Sequence, residues 1–401
     1  MTTEHYLYVS EIDLSIDNGP GINEREGVDA LTKFGSNRVT CMVPYPKSPG
    51  NYLNPKVVYV YPHHSSLIRY LVYLFASLIE IWKVNRKRPL DAVIFRLGMT
   101  PFVPWMVSLL IKKPMILKTL AGHSLYEIRQ RPLPSRTMGM VTYAFTQRFI
   151  KTCHAADTVS LQYLNWIEKT VDFKKDRLVH IPNGVNTDFF KPGDIPNPSV
   201  SSITPELDYV LGYVGALEGL RHIQNLITSL QTLQHLGRVG LLLIGDGSQR
   251  RYLEKLTDSL NLSDRVIFTG NVPYSDVPGY MNRFDIAFDL SMVPLRFGNK
   301  VHYASFSQKI PQYLACGLPV ITWDTLDTRF LENERIGSCV AFSNKDQITV
   351  EVAKLLSMDP AQTKRMHKRA RSYALNHLST EILALTRIAF WNRVRSFRSG
   401  L

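Results

Sequence analysis

The run Ser305-Phe-Ser-Gln-Lys-Ile-Pro-Gln-Tyr-Leu-Ala-Cys-Gly-Leu-Pro-Val-Ile-Thr322 holds three local signals in succession. Ile310, Tyr313 and Leu314 fall at helical spacing, and the pattern stops at Cys316-Gly317, where glycine takes the left-handed conformation that closes a helix. Pro319 follows, and Val320-Ile321 reads as a buried strand. A helix starting near Ser307 presents unpaired N–H groups at the positive end of its dipole, a place to hold phosphate. The same pattern also suits an ordinary helix, cap and strand of any α/β protein, so the rest of the chain decides.

At 401 residues the chain exceeds one typical core, and 45% hydrophobic residues with 10% aromatics supply two. The net charge of +13 is unevenly spread. Lys83 to Lys151 holds thirteen Lys and Arg against Asp91 and Glu127. Such a surface attracts anions: lipid headgroups, lipid diphosphates or nucleic acid. A merely solvated face accounts for it equally, and nucleic acid ranks below both because no recognisable nucleic-acid module accompanies the charge. Cys41, Cys153, Cys316 and Cys339 are widely spaced without a CxxC pair, which points to reduced thiols rather than a disulfide frame or a zinc site. The opening MTTEHYLYVSEID lacks a signal-peptide pattern. Leu71–Trp82 and Phe102–Ile111 are both too short to span a bilayer. The expectation is therefore a cytoplasmic protein, peripheral at most on the inner membrane face.

Strand and helix alternate along the chain. Tyr6–Val9 reads as a strand, and Asp17-Asn18-Gly19-Pro20-Gly21 as a loop before a helix carrying Val28, Leu31 and Phe34. Gly19 and Gly21 suit a close backbone approach to a diphosphate. A dinucleotide fingerprint requires a third glycine at the position of Glu24 and an acidic end to the second strand, which instead closes in Pro44-Tyr45-Pro46; both count against a nicotinamide dehydrogenase. Next come a basic amphipathic helix Leu67–Lys87, strand Ala92–Arg96, an apolar helix from Val103, strand Met115–Leu120 and helix Met140–Cys153. Pro192–Pro205 is rich in Pro, Ser and Asn, as linkers are. A second alternating series follows: Tyr209–Val214, Gly240–Ile244, Val266–Phe268 and Ile286–Leu290 as strands, with helices near Ile223–Leu236, Gln249–Leu260 and Val277–Arg283 between them. The pattern predicts two parallel sheets with helices on both faces.

Tyr313–Ile321 resembles the donor-site helix of retaining glycosyltransferases of family 4, and Arg177–Asn186, Leu243–Gly247, Asp264–Gly270 and Asp276–Tyr280 each resemble further stretches of that family. The resemblance covers nearly the whole chain. It implies an α/β protein of GT-B fold, two doubly wound Rossmann-like domains facing each other across a cleft. Residues 1–192 would form the acceptor-side domain, 193–206 a linker and 207–381 the nucleotide-sugar domain, with a C-terminal helix of about 382–401 docking back on the first. The implied activity moves a sugar from a nucleotide diphosphate sugar to a glycan or lipid-linked acceptor, with retention and without metal or other cofactor. His123 would stand near the transferred sugar and Arg96 on the acceptor side. Gly19, Gly21, Arg221, Gly245, Ser307, Lys309 and Gln312 would hold the donor, Arg221 also acting in catalysis.

Charge chemistry motivates those cations, because glycosyl transfer builds negative charge on the departing diphosphate. Departures from the family pattern are specific. Where the family has an Arg and, five positions later, a Lys, this chain has Ala216 and Arg221; where it has two glutamates eight positions apart, this chain has Ala304 and Gln312. An amide oxygen at Gln312 still accepts a hydrogen bond, without charge assistance. Two readings follow: an active glycosyltransferase with an adjusted donor site, or a catalytically degenerate GT-B subunit that binds or scaffolds in glycan assembly. A basic nucleic-acid-binding protein is a third and weaker one.

Overall fold

The computed structural model describes residues 4–47, 52–60, 67–96, 106–107, 110–119, 133–171, 175–193, 207–291, 293–297, 300–304, 307–342, 344 and 346–396. Contacts divide the chain into two units: residues 1–184, 295–302 and 380–401, and residues 185–294 and 303–379. The expected linker 193–206 lies, apart from Gly193, outside the described residues, as do His123 and most of the helix expected from Val103.

The first unit is built on seven strands: β1 (Tyr6–Val9), β2 (Val39–Pro44), β3 (Val57–Val60), β4 (Ala92–Arg96), β5 (Met115–Thr119), β6 (Ala155–Thr158) and β7 (Leu178–His180). They pair in parallel in the order β3-β2-β1-β4-β5-β6-β7. Burial on both faces explains the near-continuous apolar runs in β1, β2 and β4. Helices α1 (Gly19–Phe34), α2 (Leu67–Lys87), α3 (Leu133–Thr152) and α4 (Leu161–Val171) connect them.

The second unit has six parallel strands in the order β10-β9-β8-β11-β14-β15. These are β8 (Tyr209–Val214), β9 (Val239–Ile244), β10 (Val266–Gly270), β11 (Ile286–Asp289), β14 (Val320–Trp323) and β15 (Gly337–Val340). Between β11 and β14 in the chain, β12 (Val293–Phe297) and β13 (Lys300–Ala304) form a separate two-stranded sheet, of which residues 295–302 fall in the first unit. The helices are α5 (Ile223–Ser229), α6 (Arg250–Ser259), α7 (Val277–Met281), α8 (Lys309–Ala315), α9 (Phe330–Asn333), α10 (Gln347–Leu356) and α11 (Pro360–Tyr373). The helix expected over Ile223–Leu236 ends at Ser229, where turns and a 3-10 segment, Gln234–Leu236, take over.

A π-helical turn, Ala374–Leu378, precedes α12 (Thr380–Ser396), which belongs to the first unit. There Trp391 is fully buried with its ring 5.7 Å from that of Tyr6, and Ala384, Ile388 and Val394 join the core that Val28 and Leu31 of α1 also enter. The Tyr6 hydroxyl donates to Asn392. Among the described residues no helix is long and apolar enough to cross a membrane.

Candidate functional site

The opening run folds as helix, cap and strand. α8 starts two residues later than Ser307, because the Ser307 hydroxyl accepts the Lys309 N–H at 3.1 Å and makes a local turn instead of a helical residue. Pro311 sits in the first helical turn, where a missing N–H costs no hydrogen bond. At the far end the Gly317 N–H donates to the Leu314 carbonyl and the Leu318 N–H to the Tyr313 carbonyl, with Gly317 at φ +80°. That pair of bonds is the Schellman closure. Ile310 through Ala315 are all buried, and the Tyr313 hydroxyl accepts the N–H of Val214 at 2.9 Å, fastening α8 to the end of β8.

This fastening brings α8 to the point where the strand order reverses, between β8 and β11, which is where open parallel sheets bind ligands beyond their carboxyl ends. The chain leaves β8 through Gly215 at φ +136° and β9 through Gly245 at φ +128°. The Gly245 α-carbon faces the Gly215 carbonyl so closely that a Cβ there would lie 2.3 Å from its oxygen. The Gly245 N–H is spent on the Gly270 carbonyl at 2.9 Å. Gly245 therefore sets the backbone of the site and offers it no N–H.

The space left by Gly215 is crossed by the Lys309 side chain. A Cβ at Gly215 would meet Lys309 Cε at 2.7 Å, and the ammonium lies 5.3 Å from the centre of the Tyr213 ring. Nζ then reaches Asp289 Oδ1 and Ser291 Oγ, each at 3.2 Å. Asp289 ends β11 completely buried, and both the N–H and the hydroxyl of Ser291 donate to its Oδ1. Burial alone would raise the Asp289 carboxyl; Lys309, then the hydroxyls of Ser291 and Ser307, then Arg221 bring it below its ordinary value. Burial also pulls the Lys309 ammonium down, Asp289 opposes that, and Arg221 adds to it by repulsion.

Arg221 closes a 3-10 turn, Gly219–Arg221, and His222 after it takes a left-handed φ of 52°. The His222 ring packs in T-shaped contact with both Trp323 and Phe342, which also touch each other, and this cluster holds the turn in place. Lys309 contacts Asp289 and the charge of Arg221 is felt by both, so the group carries one net positive charge, as an anion site requires. Gln312 lies one turn further into α8 and is 6% exposed. Of the expected donor residues, Arg221, Ser307 and Lys309 thus converge on one place. Asp289 and Ser291 complete it and were not anticipated; the available signal was a lone acid inside the apolar run Ile286–Leu290.

The first unit places its expected residues differently. Asn18 caps α1, its side-chain oxygen taking the Gly21 N–H at 2.8 Å. A Cβ at Gly21 would meet the Ile16 carbonyl at 2.2 Å, whereas Gly19 has open space around it. Gly21 is thus a close-approach position whose N–H is already used. Arg96 is 4% exposed and donates to Glu24, which also accepts the Tyr8 hydroxyl at 2.6 Å and lies 3.4 Å from Lys118 Nζ. Burial would raise the Glu24 carboxyl, but Arg96 and Lys118 bring it down to about 2. Arg96 thereby serves an internal ion cluster rather than presenting its charge at a surface. Asp157 and Arg387 extend that cluster, 3.5 Å apart.

Residues 197–373 match the family described as glycosyl transferases group 1. A stretch of 78 residues, 19% of this chain, is 31% identical to 2-deoxystreptamine glucosyltransferase of Streptomyces kanamyceticus, of which it spans 20%. Sucrose-phosphate synthase from Thermosynechococcus elongatus is similar over 98% of this chain and 100% of its own, with a TM-score of 0.72 at 18% identity. A glycosyltransferase from Rickettsia africae is similar over 97% and 98%, with a TM-score of 0.72 at 15% identity. Anabaena HepE in complex with UDP is similar over 99% and 100%, with a TM-score of 0.68 at 16% identity. The two parallel Rossmann-like sheets and these neighbours make the fold GT-B.

Proposed function

We propose that the chain is a glycosyltransferase that binds a nucleotide diphosphate sugar in its second unit and passes the sugar to a glycan or lipid-linked acceptor. The observation that carries this reading is the buried Lys309–Asp289–Ser291 group with Arg221 beside it, at the strand-order reversal and inside the segment matching glycosyl transferases group 1. Transfer breaks the bond between the anomeric carbon and the diphosphate oxygen, whose electron pair stays on the diphosphate. The acceptor hydroxyl forms the new bond, and its proton passes to the departing diphosphate. The protein's task is to hold the growing negative charge.

Lys309 takes the part of the cation that Ala216 lacks. Its stem runs over Gly215, the residue before Ala216, so its ammonium enters the same corner of the site from α8 instead of from the β8 loop. Asp289 keeps that ammonium oriented, and Arg221 offers a planar fork for two phosphate oxygens. Two such cations supply the neutralisation for which other transferases use a metal ion. HepE in its complexes with UDP and UDP-glucose makes a uridine diphosphate sugar the first donor to test. Retention of configuration and a role for His123 beside the sugar rest on the family resemblance.

The experiment is a panel of UDP, GDP and ADP, with and without divalent metal, read as thermal stabilisation. Selective metal-independent stabilisation by one of them, lost in Arg221→Ala with the fold intact, supports the reading; an unchanged shift in that variant removes Arg221 from the site. Ala216 favours a second reading, a binding subunit without turnover. Acceptor-dependent release of nucleoside diphosphate by the pure protein would exclude it.

A further inference from the structure

We infer that the first unit docks on an anionic lipid surface through one face of its sheet, led by α2. On that helix Val72, Phe75, Ile79 and Trp82 are 43%, 58%, 52% and 55% exposed. Their spacing of three, four and three places all four on one stripe at 100° per residue, while Ser77 and Ile81 on the opposite side are fully buried. A surface helix of a water-facing protein normally shows the reverse arrangement, polar outside and apolar inside. Here four large apolar side chains stand outside.

Topology extends the stripe. The connections β3 to β4, β4 to β5 and β5 to β6 all cross the sheet in one direction, so right-handed crossover puts α2, Leu110 and α3 on one face. β1 to β2 runs the other way, which is why α1 and its partner α12 occupy the opposite face. Among the described residues, Leu110, before β5, and Leu133, Met140 and Val141 of α3 are exposed large apolar side chains on these further connections. They therefore share the face with the α2 stripe. Exposed large apolar side chains gathered on one face of a sheet mark an interaction surface.

Charge selects the occupant. At the end of the stripe Lys83, Arg86 and Lys87 are exposed on the same helix, with Arg86 lying over the Trp82 ring at 5.2 Å and Glu80 opposing only Lys83, at 2.7 Å. Arg136, Arg148 and Lys151 add exposed cations on α3. Apolar side chains with a tryptophan, backed by Lys and Arg, constitute an interfacial lipid-binding helix. A second copy of this chain would set cation against cation across the same patch, so the charge favours a bilayer with anionic headgroups. α2 would lie in the plane of the headgroups, with its stripe in the acyl boundary.

The test is co-sedimentation of the full chain with vesicles of phosphatidylcholine, alone or mixed with phosphatidylglycerol, over a salt series. Binding to the mixed vesicles, weak on phosphatidylcholine and falling with salt, is the expected result. Phe75→Glu/Trp82→Glu abolishes it, and each cation removed among Lys83, Arg86 and Lys87 weakens it about fivefold, the factor that about 1 kcal/mol per residue implies. All five positions are exposed, and circular dichroism and melting verify that the variants fold. No binding to the mixed vesicles, or binding unchanged in the Phe75→Glu/Trp82→Glu variant, overturns the inference. So does a dimer in sedimentation velocity that this variant disperses, because the face would then belong to a second copy. Vesicle binding requires no nucleotide, so its outcome is separate from that of the transfer reaction.

Discussion

Replacing Lys309 with Met keeps the stem length and removes the charge, and it is expected to damage stability and ligand binding by different amounts. Asp289 is fully buried and Lys309 is its ion-pair partner. Removing one partner of a buried pair costs about 3–5 kcal/mol because the other charge is left in a low-dielectric site. The low end applies here, since Ser291, Ser307 and Arg221 still favour the carboxylate. Lys309→Met should therefore lose about 3 kcal/mol in urea denaturation at neutral pH. Adding Asp289→Asn removes the stranded charge, and the double variant should return to within about 1 kcal/mol of the wild type. Binding should not return. The ammonium's hydrogen bond to a phosphate oxygen is worth about 1.5–3 kcal/mol, so both variants should bind the nucleoside diphosphate about ten- to a hundredfold more weakly by calorimetry. A double variant that binds as the wild type does would refute the clamp and leave Lys309 a purely structural ion. A single variant of wild-type stability would refute the burial argument itself.

Three further outcomes follow from geometry. Gly245→Ala places a methyl 2.3 Å from the Gly215 carbonyl oxygen at a φ of +128° and should cost about 3 kcal/mol in denaturant, with nucleotide binding lost at lower denaturant than the fold. Glu24, held at about 2 against its ordinary 4.5, has a depressed carboxyl. Its contribution is complete above pH 4.5 and vanishes as pH falls through 2, so Glu24→Gln should flatten the stability profile between those values by about 3 kcal/mol. Lys309 also has a lowered ammonium, which a bound diphosphate must raise, so nucleotide affinity should fall as pH rises through the free protein's Lys309 titration and should lose that dependence in Lys309→Met.

Local chemistry was legible in the sequence and distant pairing was not. The stop at Gly317 could be read because only a left-handed residue closes the helix there, and Tyr209–Val214 and Ala92–Arg96 were visible as apolar runs that a doubly covered sheet demands. The helix start was misplaced by two residues because Ser307 bonds locally, a choice that propensity does not rank. α5 was overextended because its apolar spacing continues through Leu230 and Leu233 into turns that still bury those side chains. Asp289 pairs with a lysine 20 positions away and Arg96 with a glutamate 72 away, contacts that depend on which strands become neighbours. Lys309 could thus be named from its motif, but its partner needed the topology.

The return of α12 to the first unit has a consequence for biogenesis. Tyr6 in the opening strand bonds to Asn392 across 386 positions, and Trp391 caps the same core. A ribosome that has released the whole first sheet has still to make the side chains that cover one of its faces. Until residues 380–396 emerge, Val28, Leu31 and Tyr6 lack part of their shelter, while the second unit already has every strand it requires. The second unit should therefore mature first and the first unit last, reversing their order in the gene. Any lesion that stops translation near Ser379 would spare the candidate donor site and yield a protein that is caught by quality control because of its opposite end.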